Sequence, residues 1–205
     1  EFWRFVMSTR LIAAALLALG LSACAAPETA TRNAPLDVAG LAPGAVQVQQ
    51  AYNIVRFDVD VPRDLQASEA NRYYPIADIV WRGDAPGDRH EQVASLFQAA
   101  GERASSSFQG PNDVVVQVQL VRFHGMTEKT RLSVGGTYNM VFLLQVVDAR
   151  TGAVLEPARQ VVANLEAPGG ARGRALIEAG QTERVRVVDH LTSVLMSELG
   201  ANPGV

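Results

Sequence analysis

Residues 138–165, YNMVFLLQVVDARTGAVLEPARQVVANL, decide how the rest of the chain is read. Tyr138 to Asp148 is apolar on both faces and rich in β-branched and aromatic side chains, the composition of an interior strand. Asp148-Ala149-Arg150-Thr151-Gly152 has the make-up of a turn closed by a glycine bulge, so Val154 to Leu165 is expected to return as the partner strand of a hairpin. A hairpin of this length needs a further strand and a cover for its apolar face.

Both are present upstream. Residues 113–123, DVVVQVQLVRF, predict a central strand whose less buried face carries Gln117 and Gln119. Val116, Val118, Leu120, Phe142 and Leu144 are therefore expected in the core. Before that strand, Asp88 with Glu91 three residues on resembles a capping box, and Val93, Leu96, Phe97, Ala100, Ala104 and Phe108 form one apolar stripe. A helix is expected there, ended by Gly110-Pro111-Asn112. Nearer the N-terminus, Val55, Phe57, Val59 and Val61 alternate with Arg56, Asp58 and Asp60, a half-buried strand that Pro62 stops. Ile76 to Arg82 reads as a second short strand. Downstream, PGGARGRA (168–175) reads as a loop. Thr182 caps a last helix striped by Val188, Leu191, Val194, Leu195 and Leu199 and stopped at Gly200.

The order strand, strand, helix, three strands, helix predicts an α+β fold. It is a two-layer sandwich with a mixed sheet of four or five strands and two helices on one face. The strands before and after the first helix are expected to run parallel through a right-handed crossover. Residues 46–200 make a single domain, with 201–205 a disordered tail.

Residues 7–24, MSTRLIAAALLALGLSAC, read as an export signal: Arg10 supplies the positive start, Leu11 to Leu19 the apolar segment, and Ser22 and Ala23 small residues before a cleavage point. Leu21-Ser22-Ala23-Cys24 resembles the lipobox of bacterial lipoproteins. That resemblance implies cleavage between Ala23 and Cys24, with acyl chains such as palmitate on Cys24. Leu11 to Ala26 is shorter than the roughly 18 apolar residues that span a bilayer, which argues against an uncleaved anchor. Glu1 to Val6, ahead of Met7, are read as upstream sequence, so 1–23 is the signal segment. Ala25 is not the aspartate that retains enteric lipoproteins in the inner membrane, so the resemblance implies a lipid-anchored, periplasm-facing protein of the outer membrane. Residues 24–45, rich in Ala, Pro, Thr and Gly, form a disordered tether reaching on the order of 25 Å.

Removal of 1–23 leaves 16 basic and 20 acidic residues, a poor nucleic-acid binder with nothing to gain from an anionic membrane surface. Cys24 is the only cysteine, so no disulfide supports the fold.

Little in the chain points to catalysis. His90, His124 and His190 have no metal-ligand spacing, and neither a metal nor another cofactor is expected. No serine elbow is present. Ser105-Ser106-Ser107 lies at a helix end, and Gly135-Gly136-Thr137 lacks the lysine of a phosphate loop and reads as a turn leading into a strand. Asp58 and Asp60 share one strand face, as paired catalytic carboxylates would, but alternation places them toward water. Arg172 and Arg174 could meet phosphate or simply solvate a loop. Residues 122–131, RFHGMTEKTR, are the densest polar stretch beside a strand and the one candidate functional loop.

Pro62 and Pro75 flank the connection between the first two strands, and proline cannot donate to a ladder, so this part of the sheet is expected to be an edge. Tyr73, Tyr74 and Trp81 sit in or beside it as candidate partner-binding residues, through strand addition or as the cover of the sheet's end.

The runs SEANRYYPIADIVWRGDAPGDRHEQV (68–93) and VRFHGMTEKTRLSVGG (121–136) resemble an uncharacterised family of proteobacterial lipoproteins, over nearly all of 46–200. That resemblance implies the lipoprotein reading and no catalytic residue. The element order is also similar to that of small envelope lipoproteins that assist transporters or lipid and lipopolysaccharide assembly. The chain is expected to be a non-enzymatic, membrane-tethered accessory or adaptor that binds an envelope protein partner. The alternatives are a lipid or small-ligand carrier with a cavity between helix and sheet, and a hydrolase in which His124 clusters with an acid and Ser133.

Overall fold

A computed structural model of the chain describes residues 52–200. The signal segment, Ala23, Cys24, the tether and the 201–205 tail lie outside the described residues. Strands β1 (Tyr52–Asp60), β2 (Ile79–Val80), β3 (Asn112–His124), β4 (Gly135–Asp148), β5 (Val154–Val162) and β6 (Leu165–Pro168) form a six-stranded mixed sheet. Its main order is β1-β3-β4-β5, with β2 beside β3 and β6 beside β4. Both β1 and β2 run parallel to β3, and β3, β4 and β5 are successively antiparallel. Helices α1 (Arg89–Ser105) and α4 (Glu183–Glu198) cover one face, and α2 (Glu128–Leu132) and α3 (Gly170–Glu178) are short additions at one end. The fold is the expected two-layer α+β sandwich, with more pieces.

The caps explain where the helices begin. Asp88 accepts from the amides of His90 and Glu91, as expected, but the Glu91 carboxylate turns away to Arg63 and does not close a capping box. Thr182 accepts from the amide of Val185, and α4 ends at Glu198, with Leu199 as its cap before Gly200. Phe97 of α1 meets Phe142 at 5.2 Å and Phe123 at 6.4 Å between ring centroids, both edge-on, the arrangement that favours aromatic pairs. All five core residues expected in β3 and β4 are buried with them. Gly101 lets α1 close on β1: a Cβ there would stand 2.3 Å from the Phe57 ring.

Expectations for four regions and for the Gly135-Gly136 turn are corrected. First, alternation along β1 does not hold. Ile54 pairs with Val114 and Arg56 with Val115, so Val55 is an inserted bulge residue turned to solvent, while Tyr52 and Ile54 enter the core ahead of it. Second, Ile76 to Arg82 is a strand only at Ile79–Val80, and Ile76 is 98% exposed. Third, the returning hairpin strand breaks at Ala163-Asn164 into β5 and β6. The turn itself is as expected, with Gly152 at φ 72° and Asp148 accepting from the amides of Arg150 and Thr151. Gly135 and Gly136, expected as a turn, pair with β6. Fourth, residues 168–175 are largely helix: α3 begins at Gly170 without a side-chain cap, so no start signal marks it in the sequence.

Candidate functional site

Because α1 and α4 lie on the Phe123 and Phe142 face, alternation leaves the other face of the sheet without a helix. Gln117 and Gln119 of β3 and Leu143 and Gln145 of β4 line a shallow cavity of about 320 Å3 there, with Asp58 and Asp60 of β1. The two carboxylates face outward as expected, Asp58 paired with Arg56 and Asp60 accepting from Gln119.

A larger groove of about 780 Å3 opens at the end of the sheet where β3 leaves and β4 begins. Arg122 and His124 from β3 and Asn139 from β4 lie along it, with Tyr73 and Tyr74 on one wall and Val134 on another. Thus the structure brings two of the three candidate aromatics together with the candidate functional loop. The Tyr74 ring stacks on His124 at 4.4 Å, and its hydroxyl accepts from Arg122 at 3.2 Å. Lys129 sits over the Tyr73 ring at 4.5 Å.

The polar loop, expected to be a connection or a site, holds the tyrosine segment in place. Thr127 donates to the carbonyl of Arg72 at 2.7 Å and caps α2 by accepting from the amide of Thr130. Thr130 donates to the carbonyl of Tyr73, and the amide of Lys129 donates to Asn71. The His124 ring bonds the Pro75 carbonyl through Nε2 at 2.9 Å; a carbonyl only accepts, so that nitrogen carries the proton. The lip of the groove is therefore fastened at residues 71, 72, 73 and 75 before any ligand arrives. Asn139 donates to Asn164 at 2.8 Å across the β4–β6 junction. Both residues line the groove, and among the described residues the remaining side-chain amide groups of the pair have no protein partner.

Trp81 is corrected from a candidate surface residue to core. It is fully buried, edge-on to Phe123, and its indole N–H donates to Asp84, which also holds Arg184. The edge expected near Pro62 and Pro75 is corrected too: the amides of Asp78 and Ile79 donate to Gln66, and Ser68 donates back to Ile79, so the chain itself covers β2. Ser133 donates to the carbonyls of Lys129 and Thr130 while His124 is occupied by Pro75, so the two do not engage one another. Among the described residues no three His, Cys, Asp or Glu side chains are grouped to share a metal ion. None of the described helices is long and apolar enough to cross a membrane.

One ionisable cluster gives no sequence signal. Glu183, in the first turn of α4, is buried beside Tyr138, with Arg131 of α2 at 3.6 Å. Burial pushes its carboxyl above the ordinary glutamate value, and Arg131 only partly opposes this. Burial, then the Glu183 charge, pushes the Tyr138 hydroxyl far up. A charged residue after a cap threonine reads as solvated, and nothing local marks that Tyr138 and Arg131, 45 and 52 residues away in sequence, lie beside it.

No curated protein matches the sequence at a significant level. Among solved structures, a candidate lipoprotein from Caulobacter crescentus shares 16% identity over 57% of this chain and 83% of its own, with a TM-score of 0.33. A Xanthomonas campestris protein of family DUF330 shares 10% over 74% of this chain and 84% of its own, TM-score 0.42. A hypothetical protein from Chlamydia trachomatis shares 10% over 74% and 98%, TM-score 0.35. Likeness at this level assigns no role. The family model is decisive where the single structures are not: it matches residues 52–205, and the chain belongs to the family of unknown function DUF6778.

Proposed function

We propose that this is a lipid-anchored protein of the cell envelope, without catalytic activity, that holds a segment of an envelope protein partner in the groove beside Tyr73 and Tyr74. The observation that carries the reading is a preformed groove whose aromatic lip stays exposed, Tyr73 at 55% and Tyr74 at 69%, although residues 71, 72, 73 and 75 are fastened from below. Preorganisation of this kind lowers the ordering cost of binding. The Asn139 and Asn164 amides, one donor and one acceptor side by side, match the alternating N–H and C=O groups of a main-chain segment. The interface between sheet and helices is filled by Phe97, Phe123 and Phe142, which supports a protein partner over a lipid held in the core. The lipobox-like Leu21-Ser22-Ala23-Cys24 supports the anchor, and Ala25 supports outer-membrane sorting.

Two measurements test this. Labelled fatty acid should enter the wild type and not Cys24→Ser, which should leave the membrane fraction; equal retention of both in high salt without label would remove the anchor. A photocrosslinking residue at position 73 should then join one envelope protein in intact cells, and the same residue at Gln98, on the far side in α1, should not. Equal labelling from both positions would remove the groove.

A further inference from the structure

The cations of this acidic chain are unevenly used. Arg56, Arg63, Arg82, Arg89, Arg103, Arg131, Arg159 and Arg184 each pair with a carboxylate. Among the described residues five exposed cations make no ion pair: Arg150 at the β4–β5 turn, and Arg72, Lys129, Arg172 and Arg174. The last four are grouped by the fold. Arg72 and Lys129 meet where α2 fastens the lip. The start of α3 lies against the end of α2, since a Cβ at Gly170 would stand 3.0 Å from the Ser133 carbonyl. Between the charges, Val134 is 77% and Leu132 57% exposed, and Ile177 of α3 is also exposed. Large apolar side chains left in water beside unpaired cations are the composition of a surface that enters the headgroup layer of a bilayer.

We infer that this shoulder, α2 with α3 and the 132–134 bend, docks on an anionic lipid surface. Two further facts support that occupant. The cations complement phosphate headgroups, each charge adding to the attraction near the surface. In addition, 27 residues separate Cys24 from Tyr52, too short a coil to carry the domain far from a bilayer holding Cys24. The inference uses the proposed anchor for proximity alone, and it places the groove, which shares Val134 with the shoulder, at the level of the headgroups. The net charge of the chain conceals this: α2 and α3 carry Lys129, Arg131, Arg172 and Arg174 against Glu128 and Glu178, a local excess that acidic residues elsewhere cancel.

The test uses the processed chain, residues 24–205 with Cys24→Ser, so that no acyl chain contributes, and sedimentation with vesicles. Vesicles containing phosphatidylglycerol should carry the protein down, pure phosphatidylcholine vesicles should not, and the binding should fade in high salt. Arg172→Ala with Arg174→Ala should weaken binding roughly 30-fold, two charges at about fivefold each. Both side chains are exposed, so the melting temperature should hold; Val134→Glu, equally exposed, should weaken binding as well. Absence of sedimentation with anionic vesicles, equal binding to both lipids, or undiminished binding of the double variant would overturn the inference. So would loss of the crosslinked partner in the double variant together with unchanged vesicle binding, which would assign the shoulder to protein. Position 73 crosslinking is read separately, so failure of the groove and failure of the shoulder are distinguishable.

Discussion

Phe142 and Leu143 are neighbours in β4, yet Phe142 is buried against Phe97 of α1 while Leu143 lines a shallow cavity on the face that no helix covers. The two faces of this sheet divide the work. The covered face is aromatic and closed, and its residues are chosen by volume. The bare face mixes Gln, Asp, Asn and Arg with half-buried apolar side chains, and both described cavities that involve β3 and β4 open on it. A face left partly apolar and without a helix in a two-layer fold is open to contact from outside the domain.

The hardest attempt to break that division is a pair of truncations one residue apart. Phe142→Ala should cost about 3 to 5 kcal/mol in chemical denaturation, since it opens a cavity in a filled aromatic cluster. Leu143→Ala should cost below about 1 kcal/mol, as surface changes do. Equal losses would mean that the bare face is structural after all.

Titration sharpens the comparison at the one place where the covered side is polar. The folded-state pKa of Glu183 lies above that of the unfolded chain, so between the two values the native protein holds more protons, and stability falls as pH rises through that window. Wild-type stability should therefore decline with rising pH above the ordinary glutamate range, relative to Glu183→Gln, in which that component is absent. A difference profile that is flat, or that rises with pH, would show that Arg131 outweighs burial.

The covered face could largely be read in advance because its signals are local. Asp88 and Thr182 mark helix starts, Asp148 to Gly152 mark the turn, and the stripes of α1 and α4 follow the helical period. Where reading stopped short, the cause is non-local or unmarked. Val55 and Val121 are bulge residues, inserted where β3 is paired with different partners on its two sides, and no periodicity within one strand announces them. Helix α3 has glycine at its cap and glycine inside it, and forms against α2. Trp81 looks like an interface residue until Phe123 and Tyr138 close over it. The groove is half visible in the sequence: Tyr73, Tyr74 and the 122–131 stretch each stand out, but they are joined by hydrogen bonds such as Lys129 to Asn71, which are 58 residues apart.

Two threonine caps separate a helix start that only folds from one that also shapes the groove. Thr182→Ala should cost about 1 kcal/mol, the usual loss of an N-cap, and leave crosslinking at position 73 unchanged. Thr127→Ala loses a cap and also its bond to the Arg72 carbonyl, so it should cost about 1 to 2 kcal/mol and reduce crosslinking as the lip loosens. If the two variants crosslink alike, fastening of the lip does not matter to binding.

The smallest expected effect on stability decides the most about function. Tyr73 makes one contact to a charged neighbour, Lys129 over its ring, and Tyr74 makes two, the His124 stack and the Arg122 hydrogen bond; exposed contacts of this kind are each worth up to about 1 kcal/mol. The main chain on either side of Tyr74 is fastened without these side chains, because Thr130 bonds the Tyr73 carbonyl and His124 the Pro75 carbonyl. Tyr73→Ala with Tyr74→Ala should therefore shift the melting temperature by only a few degrees. If these rings are the contact surface for a partner, the same variant should lose the envelope protein that co-purifies with the wild type, because truncated aromatic anchors cost more in binding than in folding. Loss of folding together with the partner would return both tyrosines to the role of cover for the end of the sheet, and the bare face would then need another anchor.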